Sequence, residues 1–157
     1  MIVVADTSPL NYLLLIDEID LLPTLFGHVL IPIAVLRELK HAKTALRVRQ
    51  WVENPPSWFE VRFATSALNP ALIGLDEGER EAIQLALDLN VSTILIDEAE
   101  GRRTAENLHL EVRGTLGILE HGARLGKTNL RHVLSKLDQT SFRMSPAVRA
   151  ALLARNP

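Results

Sequence analysis

Two aspartates occur at positions where a carboxylate could take part in chemistry. Asp97 comes directly after the apolar run 91–96, whose composition is typical of a strand covered on both faces. Asp6 follows a shorter β-branched run at residues 2–5. Ligands of open parallel sheets bind just beyond the carboxyl ends of the strands. Both aspartates are therefore candidates for a catalytic or metal-binding site.

Three glutamates extend this acidic set. Glu38 and Glu79 lie in segments with a helical pattern, and Glu98 directly follows the second aspartate. Clustered carboxylates repel one another, and a divalent cation normally explains such a site. Oxygen ligands select hard ions such as Mg²⁺ or Mn²⁺, and no histidine lies near these positions at a spacing typical of zinc sites. Hard ions usually serve phosphoryl chemistry, in which they activate water and hold phosphate oxygens.

Each acid also has an ordinary structural interpretation, which the residues alone leave open. Asp6 is suited to a turn or a helix cap, and Glu38 to a solvated ion pair with the basic residues beside it. Glu79 is suited to the acidic position of a capping box, and Glu98 to a helix N-terminus. Asp97 has the weakest structural alternative, because a charge at the end of a buried strand is costly unless it is paired or bound to metal.

The pattern of apolar residues indicates the elements that must position these acids. Strands are predicted at residues 2–5, 28–31, 58–63, 91–96 and 111–113, with the third at a sheet edge. Helices are predicted at residues 10–15, 20–26, 33–41, 44–53, 76–90, 98–108, 115–125, 130–137 and 146–154. Strands that alternate with helices favour a three-layer α/β/α domain with a mainly parallel central sheet.

Length and composition set limits on the class of protein. The chain has 157 residues, 47% of them hydrophobic, and is expected to form a single domain over residues 1–157. A formal net charge of −2 neither indicates nor excludes a nucleic-acid ligand. The absence of cysteine excludes disulfides and is compatible with the reducing cytoplasm, where we expect the protein. The first residues are interpreted as a strand rather than a signal peptide, and no membrane span is expected.

Four ordered motifs and two shorter ones give the chain a resemblance to PIN domains, within their less characterised prokaryotic branch. The motifs are Val4-Ala-Asp-Thr-Ser-Pro-Leu10, Ile31-Pro-Ile-Ala-Val-Leu-Arg-Glu38, Leu75-Asp-Glu-Gly-Glu-Arg-Glu-Ala-Ile83, Leu95-Ile-Asp-Glu98, Gly101-Arg102 and Gly114-Thr-Leu-Gly117. The resemblance extends over nearly the whole chain. Each motif is weak alone, whereas the ordered set is fairly specific.

The resemblance implies an activity, a cofactor and partners. PIN domains are Mg²⁺- or Mn²⁺-dependent ribonucleases, and many are toxins of VapBC-type toxin–antitoxin pairs, so RNA is the implied substrate and a small antitoxin protein an implied partner. The acidic positions of the family match Asp6, Glu38, Glu79 and Asp97, with Glu98 as an additional metal ligand. One departure is notable, because the third acidic position is often Asp in the wider family and is Glu79 here, with Asp76, the predicted cap of this helix, and Glu77 as nearby alternatives.

Supporting residues are assigned with their alternatives. Thr7 and Ser8 are candidates to bind a carboxylate or a substrate phosphate, or else to cap the first helix. Arg102 is a candidate to pair with a site carboxylate or bind phosphate, or else to form a surface pair with Glu98 one helical turn earlier. Scattered basic residues form a further candidate surface for the nucleic-acid backbone: Arg124, Lys127, Arg131 and Lys136.

The same residues also suggest two rival functions and the formation of a homodimer. A PIN fold that binds RNA or a protein without cleaving it is the first rival. A phosphatase with Asp6 as its nucleophile is the second, and it is disfavoured because no second Asp follows two residues later. The apolar run at residues 10–16 exceeds what one core face needs, which favours a homodimer.

Overall fold

The computed structural model describes residues 1–157 and has a five-stranded, entirely parallel sheet at its centre. The strands, numbered along the chain, stand in the order β3-β2-β1-β4-β5. Their bounds are Ile2–Ala5 for β1, His28–Ile31 for β2, Phe59–Val61 for β3, Thr93–Leu95 for β4 and Glu111–Arg113 for β5. The expected α/β/α class with a parallel sheet is confirmed.

Alternating side chains of the strands build two separate apolar cores, one on each face of the sheet. In β1, Val3 and Ala5 belong to the larger core, whereas Val4 belongs to the smaller one. This alternation arises because successive side chains of a strand point to opposite faces. All three side chains are fully buried, so both faces of the sheet centre are covered.

Nine helices and one single-turn 3-10 helix cover the two faces. The helices are α1 (Thr7–Leu15), α2 (Leu21–Phe26), α3 (Ile33–Leu39), α4 (Leu46–Glu53), α5 (Glu77–Asp88), α6 (Ala99–Asn107), α7 (Thr115–Arg124), α8 (Leu130–Asp138) and α9 (Pro146–Arg155). Side chains of α1, α2, α7 and α8 fill the larger core, and those of α5 and α6 fill the smaller one. Helix α3 packs against both α1 and α5, which places it beside the carboxyl ends of the central strands.

The connection order creates a crevice at the carboxyl end of β1. Strand β2 lies on one side of β1 and β4 on the other, so the chain changes direction along the sheet at this point. Ala5 pairs with Leu95, and the backbone N–H of Asp6 donates to the Leu95 carbonyl at 2.8 Å. Asp6 and Asp97 therefore follow neighbouring strand ends, at the kind of crevice where open α/β sheets bind ligands.

Element types were predicted better than element ends. The predicted strands 58–63 and 91–96 shorten to Phe59–Val61 and Thr93–Leu95, although β3 does lie at the sheet edge. Helix α1 begins at Thr7 rather than at residue 10, because Asp6 is already its N-cap residue. Helix ends depend on local capping geometry, which hydrophobic patterns do not determine.

The apolar run of α1 is buried mainly inside the chain itself. Leu10, Leu13 and Ile16 are at most 1% exposed and belong to the larger core. Tyr12 and Leu15 are half-buried against the same core. The run therefore gives the predicted homodimer no surplus apolar surface, and the dimer stays a prediction. None of the helices has the length and apolar character that crossing a membrane requires.

Candidate active site

Two carboxylates approach the first turn of α5 from different elements. Gly78 lies in that turn, and a Cβ atom at its position would be 2.6 Å from Glu38 Oε1 and 3.2 Å from Asp6 Oδ1. Asp6 comes from the end of β1 and Glu38 from the last turn of α3. The glycine therefore leaves the space in which these two carboxyl groups stand side by side.

A third carboxylate, that of Glu79, lies on the next residue of α5 and has two roles. Its backbone N–H donates to the Asp76 side chain at 2.8 Å, and its own Oε2 accepts from the Asp76 N–H at 3.4 Å, which completes a capping box. The side chain is only 4% exposed and packs against Gly101, whose Cβ would lie 3.3 Å from the carboxyl carbon. The predicted capping role of Glu79 is thus confirmed. Its carboxylate nevertheless lies with the other acidic side chains of this site.

The pKa of Asp6 shows how costly the charge at this point is. The pKa of its carboxyl is raised from 3.8 to about 7, mostly by burial and also by the negative charges of Asp76, Glu38 and Glu79, against a lowering by the Thr7 backbone N–H. Burial raises the pKa because the charged form loses hydration, and neighbouring carboxylates add direct repulsion. We call Asp6, Glu38, Asp76 and Glu79 the acidic cluster.

The pKa of Glu79 is raised for the same reasons. Burial raises it from 4.5 to about 7, and the carboxylates of Asp76, Glu98 and Glu100 contribute, while the Asp76 backbone hydrogen bond lowers it. Glu98 is the N-cap residue of α6 and lies exposed at the rim of the cluster. The cluster is thus a concentration of negative charge with no basic residue among the groups that shift these two pKa values.

Glu38 is held in place by contacts from α1 and α5. The Thr7 hydroxyl donates to Glu38 Oε2, which lowers the pKa of the carboxyl against the larger raising effect of burial. Helix α3 is fixed to α5 by the Ala34 N–H, which donates to Glu81 Oε1 at 3.2 Å. Thr7 therefore binds a carboxylate, one of the roles predicted for it.

Asp97 is bound to a different partner. Its Oδ1 accepts from the Thr115 N–H and its Oδ2 from the Thr115 hydroxyl, both at 2.7 Å, so it satisfies the N-terminus of α7. Burial raises the pKa of Asp97, whereas these two hydrogen bonds and the nearby Arg102 charge lower it. Gly114 permits this arrangement, because a Cβ there would collide with the Arg102 guanidinium and lie 3.0 Å from Asp97 Oδ1.

The structure thus gathers some of the predicted site residues and separates others. Asp6, Glu38 and Glu79 stand together, and Asp97 lies at the neighbouring strand end with its oxygens turned to Thr115. Ser8 lines a cavity beside Glu38. Arg102 donates to the Ile96 carbonyl at 3.3 Å, so it is near Asp97 and does not form the alternative surface pair.

Two residues have larger roles than the sequence indicated. Asp76 was recognised as a helix cap and a nearby alternative acid, and its charge acts on all three clustered carboxylates. Thr115 was not recognised as the partner of Asp97. The signal that could have identified Thr115 is its position as the first residue of the helix after β5. Strand β5 lies next to β4, the strand that Asp97 follows.

The carboxylates of the site are the ligand type that a hard divalent cation such as Mg²⁺ or Mn²⁺ prefers. They do not surround a single point at which one ion could be coordinated. No three Asp, Glu or His side chains meet around a point at which they could hold an ion.

The fold is a parallel α/β/α sheet with Asp6 buried and Asp97 half-buried just beyond its central strands. The PIN-domain family model DUF3368 matches residues 2–156, so the chain belongs to the PIN-domain family. PIN domains are generally nucleases and typically use divalent metals. No curated protein and no solved structure matches the chain significantly.

In the absence of metal, stability should fall as the pH rises through neutrality. The folded-state pKa of Asp6, about 7, lies above its unfolded value of about 3.9, so the folded state binds the proton more tightly. The resulting stabilisation is complete below about pH 4 and is lost as the pH passes about 7. Asp6→Asn should therefore flatten the pH dependence and raise the melting temperature at pH 8 by roughly 5 °C.

Thermal melts in EDTA between pH 5 and pH 8 measure this effect. Asp20→Asn is a matched control, because Asp20 is exposed and lies outside the cluster. A lower melting temperature for Asp6→Asn at pH 8 would show that the Asp6 charge stabilises the fold, contrary to its burial among other acids.

Proposed function

We propose that the protein is a Mg²⁺- or Mn²⁺-dependent endoribonuclease of the PIN type. The observation that carries the proposal is the convergence of Asp6, Glu38 and Glu79, with pKa values raised by burial, at the crevice beyond β1. The burial and mutual repulsion of these carboxylates destabilise the fold in the absence of a cation. Such a cluster is explained by a cation that binds there during function.

The metal ligands in this proposal come from both strand ends and two helices. A bound ion would activate water for attack on phosphorus and stabilise the charge that develops there. The residues that would hold it are Asp6, Glu38, Glu79, Asp97 and Glu98. Glu79 would do so in place of the Asp that is common at this position in the family.

The remaining residues position these ligands and bind the substrate. Thr7 orients the Glu38 carboxylate through its hydroxyl, and Thr115 holds Asp97 by two hydrogen bonds. Ser8 borders the cavity next to Glu38, where it is placed to donate to a phosphate oxygen. Arg102 supplies positive charge beside Asp97.

We extend the proposal to the toxin of a type II toxin–antitoxin pair, which acts in the cytoplasm as a homodimer and is held inactive by a small antitoxin protein. The family membership supports this extension, because many PIN domains are such toxins. Induced expression of the wild type should then arrest growth, whereas Asp6→Asn should not. Arrest by both proteins, or by neither, would leave the toxin role without support.

A binding module without catalytic activity is the second candidate. The contact that favours it is the pairing of Asp97 with Thr115, which uses the oxygens that a metal would need. This candidate predicts that RNA is retained without metal-dependent cleavage, and that Asp97→Asn leaves RNA affinity unchanged or improved.

Incubation of mixed RNAs with the purified protein separates the two candidates. The nuclease predicts cleavage in Mn²⁺, none in EDTA, and a loss of about 100-fold or more in Asp97→Asn. Glu53→Gln is the matched control, because Glu53 is an exposed acid at the end of α4. Intact RNA in Mn²⁺ together with stable RNA binding would support the binding module instead.

A further inference from the structure

A second cleft lies beside Asp97 and encloses about 400 Å³. Three of the nine residues that line it are arginines, and we call it the arginine cleft, after Arg102, Arg113 and Arg143. The other lining residues are Asp97, Val112, Gly114, Leu116, Gly117 and Phe142. The sequence had singled out only one of these arginines, because the other two are far from it along the chain.

The arginine cleft carries a net positive charge. Arg143 is exposed and forms no ion pair. Arg113 pairs with Glu111 at 2.7 Å in an exposed contact, and the charge of Arg102 acts on Asp97, while its guanidinium donates to a backbone carbonyl. Three arginines against these two acids leave one positive charge, that of Arg143, to attract an anion.

An aromatic contact joins this cleft to the cavity beside Glu38. The rings of Phe142 and Tyr12 meet edge to face, with centroids 5.0 Å apart at 86°. Phe142 lines the arginine cleft, whereas Tyr12 lines a cavity of about 450 Å³ that also contains Thr7 and Glu38. Both rings are half-buried and so present part of their surface to a ligand. Exposed aromatic rings beside a cationic groove are the arrangement that binds unpaired bases.

We propose that the arginine cleft binds the phosphodiester backbone of a single nucleic-acid strand, next to the nucleotide that the acidic cluster cleaves. This inference rests on the proposed function and names the subsite that anchors its substrate. An anchor is needed because the carboxylates repel the phosphates of a strand. The cleft volume lies within the range of roughly 300–1,000 Å³ of small-ligand sites, which suits one nucleotide and not a duplex.

Two substitutions test the cleft with little risk to folding. Arg143→Gln removes an exposed charge that has no partner. Gly117→Glu introduces a carboxylate where a Cβ would meet no atom within 4 Å, in the first turn of α7, a position that favours acids. Arg62→Gln is the control, because Arg62 is also exposed and follows β3, at the edge of the sheet opposite β5.

Affinity is measured in EDTA by the fluorescence anisotropy of a labelled 12-nucleotide single-stranded RNA, with single-stranded DNA and duplex RNA as further arms. Arg143→Gln should weaken binding of the single-stranded RNA about fivefold and reduce the salt slope by about 0.7. Gly117→Glu should weaken it further, and Arg62→Gln should leave it unchanged. Equal binding of the DNA strand would place recognition in the backbone, and preference for RNA would place it in the 2′-hydroxyl.

Several results would overturn the proposal. These are equal losses for Arg143→Gln and Arg62→Gln, tighter binding of duplex RNA, no binding of any strand, or displacement of the RNA only by an acidic peptide. A parallel cleavage assay in Mn²⁺ keeps the two proposals apart. If the wild type cleaves RNA and Arg143→Gln binds RNA with full affinity, the proposed role of the arginine cleft is wrong and the nuclease proposal stands. If Arg143→Gln weakens RNA binding but the wild type does not cleave RNA, the nuclease proposal is wrong and the role of the cleft stands.

Discussion

Millimolar Mn²⁺ should raise the melting temperature of the wild-type protein by about 5–10 °C. A ligand that binds only the folded state at 100 times its dissociation constant adds about 2.7 kcal/mol, and each kcal/mol shifts the melting temperature of a chain of this size by roughly 2–4 °C. The effect has a second source in the acidic cluster, because a cation offsets the repulsion that raises the pKa values of Asp6 and Glu79.

Two variants locate the ion. Asp6→Asn should abolish the Mn²⁺ effect while melting higher than the wild type in EDTA at pH 8. Asp97→Asn should also lose the effect, because Asp97 is among the proposed metal ligands and an amide binds a hard cation more weakly than a carboxylate does. A full Mn²⁺ shift in Asp97→Asn would remove Asp97 from the ligand set and leave it as the cap of α7. An unchanged wild-type melting temperature up to millimolar Mn²⁺ would count against the metal site altogether.

Gly78→Ala should reduce RNA cleavage about 100-fold without lowering stability. The new Cβ would stand 2.6 Å from Glu38 Oε1, so that carboxylate must move by nearly 1 Å, and a displacement of this size can cost about 100-fold in rate. Replacing a helical glycine by alanine gains about 0.5–1 kcal/mol, which offsets the crowding. Single-turnover cleavage and thermal melts measure the two effects separately.

Gly117→Ala is the matched control for this prediction. Gly117 also lies in the first turn of a helix, but a Cβ there meets nothing within 4 Å. This variant should gain the same helix propensity. At saturating RNA it should lose far less cleavage activity than Gly78→Ala, because its methyl group lies in the arginine cleft and not beside Glu38. Equal cleavage rates for the two alanine variants would show that the position of Glu38 does not matter for the reaction.

The part of the site that could be predicted from the sequence is the part that the strand pattern determines. Asp6 and Asp97 each follow an apolar run, and parallel strands bring their carboxyl ends to one sheet edge. The pairing of Glu79 with Asp76 was visible as well, because a capping box has a fixed spacing along the chain.

The parts that could not be predicted depend on side-chain direction and on distant packing. Asp97 turns to Thr115 because the two lie at neighbouring strand ends, although 18 positions separate them along the chain. The arginine cleft depends on the segment before α9, which brings Phe142 and Arg143 to the start of α7. Neither contact has a local sequence signal. The burial of the apolar run of α1 also has no local sequence signal. Its side chains pack on several helices of the same chain, so they do not form the exposed apolar surface on which the homodimer prediction was based.

The rate of RNA cleavage by the wild type and by Asp6→Asn, each in Mn²⁺ and in EDTA, tests the central claim most directly. The acidic cluster predicts cleavage by the wild type in Mn²⁺ alone, with a loss of about 100-fold or more in a variant that is at least as stable. A contaminating nuclease would be present in both preparations. Equal cleavage by the two proteins, or cleavage by the wild type that persists in EDTA, would contradict a metal-dependent site at Asp6.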